Sequence, residues 1–82
     1  MTREEIVDVV KSILARIAPE IDLGRMRPDA DLRDEMEIDS MDFLRYVVGL
    51  KERLGVDVPE KDYPRVRTLA SCAEYVMQRN AA

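Results

Sequence analysis

The sequence predicts an all-α fold: a small bundle of three main helices plus one short helix, with a long loop between the first and second. Three observations predict it. Apolar residues recur at helical spacing in three stretches, beginning near Ile6, Met41 and Leu69. A residue suited to capping a helix N-terminus precedes each stretch: Thr2, Asp39 and Thr68. Strand formers do not dominate, since the chain holds three tyrosines, one phenylalanine and no tryptophan. At 82 residues, the chain reads as a single domain over 1–82 with one small core.

The first helix opens on Thr2-Arg3-Glu4-Glu5, a capping box in which Glu5 reaches back to the cap. Ile6, Val9, Val10, Ile13 and Ile17 form its apolar stripe, widened by Val7 and Leu14. Pro19 ends it, because the residue before a proline is pushed out of the α region. Residues 19–38 then form a connection longer than a compact domain usually allows without anchors or a function. Ile21, Leu23, Met26, Leu32 and Ile38 are irregularly spaced pins for it, and Asp31-Leu32-Arg33-Asp34 suits a turn of helix.

The second helix runs from Ser40 to Leu54 and closes on Gly55, which can take the left-handed cap conformation. Phe43, Val47, Leu50 and Leu54 make one stripe, while Met41, Leu44 and Val48 make a second, rotated from the first. The first stripe is core. The second is either further core or an exposed docking patch, and docking is the preferred reading. Asp42, Arg45, Gly49, Glu52 and Arg53 fill the polar side, where Gly49 suggests close approach by a partner or neighbouring backbone. Val56-Asp57-Val58 is too short for a strand with a mate. Pro59 starts a short helical piece through Tyr63, and Pro64 ends or distorts it. Thr68 caps the last helix, whose stripe is Leu69, Cys72, Ala73, Val76 and Met77, and residues 78–82 are expected to fray.

Composition removes several functions. The chain has no histidine, and so lacks the usual general base and the commonest metal ligand. It offers no metal-ligand cluster, and Cys72, its one cysteine, reads as a small packed hydrophobe. Self-contained catalysis is not expected. No stretch is apolar enough for a membrane span or a secretory signal, so a reduced cytoplasmic setting is expected. The net charge is −4, but residues 28–42 hold seven acidic side chains against Arg33 alone. Such a patch repels nucleic acid. It suits either a basic protein partner or a solvated acidic loop.

That acid surrounds Glu37-Ile38-Asp39-Ser40-Met41-Asp42. With Asp39 as cap, Ser40 takes the first helical position, where spare N–H donors and the helix dipole favour an attached anion. An ordinary capped helix would show the same residues, and these six leave both readings open.

The order of features along the chain resembles the acyl carrier protein family. The resemblance rests on Asp39-Ser40-Met41-Asp42, on Leu54-Gly55-Val56-Asp57-Val58-Pro59, and on Thr68-Leu69 followed by Ala73-Glu74-Tyr75-Val76. It implies a carrier that is not an enzyme, bearing a 4′-phosphopantetheine arm on Ser40. A phosphopantetheinyl transferase would attach the arm from coenzyme A, with Asp39 and Asp42 meeting its basic side chains. The arm's thiol would hold acyl groups as thioesters, for fatty acid or specialised lipid or polyketide biosynthesis. Met41, Leu44, Arg45 and Val48 would complete a face for acyl-loading and acyl-transferring enzymes, on a monomer. An aminoacyl or peptidyl carrier, or an unmodified helical adaptor, remains as an alternative.

Four departures qualify the resemblance. Glu37 stands where the family often has glycine, and Met41 where it often has leucine. Arg45, Lys51 and Arg53 occupy positions that tend to be acidic in members serving fatty acid synthesis, which points to a specialised carrier with dedicated partners. Pro64 interrupts a short helix that the family usually keeps intact, so that helix is expected to be curtailed.

Overall fold

The computed structural model describes residues 1–80. In chain order it places α1 at Arg3–Ile17, α2 at Leu32–Met36, α3 at Ser40–Leu54 and α4 at Leu69–Asn80. Two 3-10 segments, Leu23–Arg25 and Glu60–Val66, lie between them, and no strand occurs among the described residues. The expected all-α bundle is therefore what forms, and α1 packs against both α3 and α4.

The capping box of α1 is complete. Thr2 N–H donates to Glu5 Oε1 at 2.9 Å and Glu5 N–H donates to Thr2 Oγ1 at 3.2 Å. The helix stops at Ile17, one residue before the Ala18-Pro19 bond. Ile6, Val10, Ile13 and Leu14 are buried, whereas Val7, Val9 and Ile17 are half-buried at the edges of the stripe.

The long connection is held by main-chain hydrogen bonds as well as by its apolar pins. Ala70 N–H donates to the Pro28 carbonyl at 2.9 Å, and Leu32 N–H donates to the Arg67 carbonyl at 2.7 Å. Asp31 caps α2 through the N–H groups of Arg33 and Asp34, and also meets Arg67 Nη2 at 2.8 Å. Burial opposes ionisation of Asp31, but Arg67 and these two N–H groups outweigh it and hold the carboxyl below the usual range. The expected helical turn thus extends to a full short helix, which delivers Leu32 and Met36 to the core.

α3 begins and ends where the sequence places it. Gly55, at φ +69°, turns the chain out of the helix and returns its N–H to the Lys51 carbonyl at 2.9 Å. Phe43, Val47 and Leu50 are buried, and so is Tyr46, which the stripe reading passed over. Its hydroxyl donates to the Val66 carbonyl at 2.8 Å, so an aromatic body reaches the core without an orphaned polar tip.

Three expectations are corrected. The helical piece after Pro59 is not curtailed at Tyr63; it continues through Pro64 to Val66 as a 3-10 helix. The proline removes one donor, in an exposed stretch where water can serve the carbonyl left over. Met77 is 40% exposed, and Tyr75 is buried in its place. The guanidinium groups of Arg65 and Arg79 both lie over the Tyr75 ring, 4.8 and 4.9 Å from its centre, and its hydroxyl donates to Asp62 Oδ2 at 2.7 Å. Finally, the expected fraying covers residues that stay helical to Asn80, with Arg65 donating to Gln78 Oε1 at 2.9 Å; residues 81 and 82 lie outside the described ones.

Candidate functional site

Ser40 is exposed at the first position of α3. Asp39, in extended conformation, caps the helix by accepting from Asp42 N–H at 2.9 Å, and its carbonyl accepts from Phe43 N–H at 3.0 Å. The cap uses the third N–H of the helix and leaves those of Ser40 and Met41 as the open donors of the turn. An anion on the Ser40 oxygen would therefore sit at the positive end of a fifteen-residue helix.

The approach to Ser40 is set by Glu37. Its backbone occupies the left-handed region at φ +52°, and among the described residues it is the one non-glycine to do so. This ends α2 and swings Ile38 into the core, so that Asp39 can turn outward as the cap. The glycine expected from the family is replaced here by a strained glutamate.

Beside Ser40 a groove of about 360 Å³ is lined by Arg33, Phe43, Leu44, Glu60 and Tyr63. Phe43 stacks edge-on against Tyr46 and Tyr63, both at 5.5 Å, which gives the groove a rigid aromatic wall. Arg33, on α2, lines the same groove as Ser40. Sequence alone does not assign Arg33 to the site; its place as the one basic residue in an acidic stretch is the available signal. An exposed hydroxyl, open N–H donors, and a groove with an aromatic wall and the charged side chains of Arg33 and Glu60 together fit a phosphodiester followed by a slender arm.

The face beyond Ser40 is also brought together. Met41, Leu44 and Val48 are 63%, 42% and 52% exposed, which removes them from the core and makes a continuous apolar strip. Arg45 stands beside it, its guanidinium 3.8 Å from Asp42. Gly49 is not on a polar side: it faces α1, and a Cβ there would lie 2.6 Å from Ile13 Cγ2. The close approach anticipated at Gly49 is made by a side chain of the same bundle.

Cys72 is fully buried, and burial pushes its thiol up to about 11, so it supplies no nucleophile near neutral pH. No group of histidine, cysteine and carboxylate side chains among the described residues could hold a metal ion. No described helix is long and apolar enough to cross a membrane.

A helical bundle that presents an exposed serine at a helix N-terminus, with a groove beside it, has the geometry of a domain that carries a group on that serine. Comparison with known families narrows this reading. Residues 4–76 match the family model described as phosphopantetheine attachment site, and the chain belongs to that family. Its cofactor is 4′-phosphopantetheine, which when bound supplies a thiol at the end of a long arm. The chain is similar to the acyl carrier protein of Rubrobacter xylanophilus, at 29% identity over 83 residues and the full length of both. It is similar also to that of Thermosynechococcus vestitus, at 26% over 82 residues and again full length. Among solved structures, the acyl carrier protein from Enterococcus faecalis shares the fold, with a TM-score of 0.76 and 23% identity over 95% of this chain and 98% of that one.

Proposed function

We propose that the chain is a single-domain acyl carrier whose arm is attached at Ser40. The exposed Ser40 hydroxyl at the start of α3 is the observation that carries this reading. In the attachment, Ser40 Oγ loses its proton and forms the phosphodiester, while adenosine 3′,5′-bisphosphate leaves from coenzyme A. Asp39 and Asp42 offer the transferase two carboxylates on either side of the hydroxyl. The Ser40 and Met41 N–H groups and Arg33 favour the phosphate once it is attached. The full-length similarity to acyl carrier proteins supports acyl thioesters as cargo, handed between acyl-loading and acyl-transferring enzymes. Arg45, Lys51 and Arg53 on α3 support a specialised lipid or polyketide pathway with dedicated partners, and the lone buried Cys72 suits a reducing cytoplasm.

Incubation with coenzyme A and a broad-specificity phosphopantetheinyl transferase, read by intact mass, tests the attachment. A gain of one phosphopantetheine is expected in the native chain and in Ser71→Ala, and none in Ser40→Ala. No gain in the native chain, or a gain that survives Ser40→Ala, overturns the assignment.

A further inference from the structure

The exposed strip on α3 does not stand alone; it is one wall of a groove of about 400 Å³ whose other wall is α1. Ile13 and Ile17 form the α1 side, and Gly49 allows Ile13 to lie against the α3 backbone. The depression is therefore concave and apolar, shaped to receive a side chain rather than to lie on a flat surface. Its rim is basic: Arg16 from α1 and Arg45 and Arg53 from α3, against Glu52. The chain as a whole carries −4, and the acid is gathered at the Ser40 end. Along α3 the sign of the surface thus reverses, from Asp39 and Asp42 at the serine to arginines further down.

We infer that this groove docks an acyl-handling enzyme whose facing surface is acidic and which inserts one apolar side chain between Met41, Leu44 and Val48. The inference rests on the carrier reading for the nature of the partner, and charge complementarity selects the acidic surface. The position supports it: an enzyme seated here reaches the end of α3 where Ser40 lies. Opposed charges at the rim speed encounter and reject partners with basic surfaces, whereas the buried apolar contact holds the complex. An anionic membrane offers the same charge but no protruding side chain to fill a concave site, so a protein surface fits better.

The test uses the unmodified full-length chain, labelled for amide NMR, so it reads the surface whether or not Ser40 accepts an arm. Two probes are titrated: a malonyl-transferring enzyme of fatty acid synthesis with a basic carrier-facing surface, and the same enzyme with those basic residues changed to glutamate. The acidic form is expected to shift or broaden Met41, Leu44, Val48 and Gly49, with affinity falling as salt rises. The triple variant Arg16→Glu/Arg45→Glu/Arg53→Glu should bind the acidic form about tenfold more weakly and the basic form more tightly. Gained binding to the basic form shows that the variant is folded. Equal or stronger binding of the native chain to the basic form overturns the inference, as does the absence of groove shifts with the acidic form. Groove shifts produced equally by phosphatidylglycerol vesicles overturn it in favour of a lipid surface. Failure of modification at Ser40 with these shifts intact counts against the carrier reading alone.

Discussion

Asp39 performs two tasks that different substitutions can separate. As an N-cap it needs only a side-chain oxygen, which asparagine also provides. As a contact for a basic transferase it needs a charge. Asp39→Asn is therefore expected to leave thermal stability nearly unchanged and to lower the transferase kcat/KM, while Asp39→Ala lowers both, costing about 1 kcal/mol of stability. Equal loss of modification rate with a full loss of stability in Asp39→Asn would contradict the separation. Glu37 poses the complementary case, since a non-glycine at φ +52° carries backbone strain. Glu37→Gly is expected to relieve it, against glycine's larger conformational entropy in the unfolded chain, for a net gain of about 1 kcal/mol in urea unfolding. Both residues were visible in the sequence, Asp39 as a cap and Glu37 as a departure from the family. The left-handed backbone at Glu37 was not, because nothing local to a glutamate requires it: the neighbours Met36 and Ile38, both drawn into the core, impose it.

At the scale of elements, α3 was the most legible part of the chain and its surroundings the least. Asp39 and Gly55 are local signals, and together they place both ends of the helix. Which side of it meets α1 depends on a tertiary fit: Gly49, on the polar side by helical spacing, lies against Ile13 of α1. The same holds for Tyr75 and Met77, which helical spacing alone cannot rank; the two arginines over the Tyr75 ring and the Asp62 carboxylate settle the choice. The fit at Gly49 makes a quantitative prediction. Gly49→Ala gains about 1 kcal/mol of helix propensity. It also forces a methyl to 2.6 Å from the stiff, branched Ile13, an overpacking cost of about 1–3 kcal/mol. The net expectation is destabilisation, reversed in sign when Ile13→Ala vacates the space. A double-mutant cycle by urea unfolding measures this coupling; additive effects would show that the helices simply part.

At the scale of the whole molecule, two carboxylates fasten the 3-10 segment Glu60–Val66 and its exit to the rest of the bundle. Asp31 reaches from the long connection to Arg67, just past the segment, at 2.8 Å. Asp62, inside it, accepts from Tyr75 at 2.7 Å and from Arg79 at 3.2 Å, both on α4. The Tyr75 hydroxyl is the main cause that holds the Asp62 carboxyl below its ordinary value, aided by the neighbouring cations. Asp31 is held down too, so folded Asp31 and Asp62 both bind their protons more weakly than the unfolded chain does. Groups with a lowered folded pKa add stability that is complete above the unfolded value of 3.8 and is lost as pH falls through the lower folded value. The urea midpoint is therefore expected to drop as pH falls from about 5 towards 3. Asp31→Asn/Asp62→Asn should be less stable at neutral pH and should lose less on acidification, with asparagine keeping the cap on α2. Tyr75→Phe should flatten the profile in part by removing the strongest partner of Asp62. An acid profile as steep in the double variant as in the native chain would place the sensitivity elsewhere. Asp62 directly precedes Tyr63, which lines the groove beside Ser40, so acidification should loosen that groove before the α1–α3 contact. Amide exchange at Tyr63 and Val66 compared with Ile13 and Leu50 across that pH range measures the order.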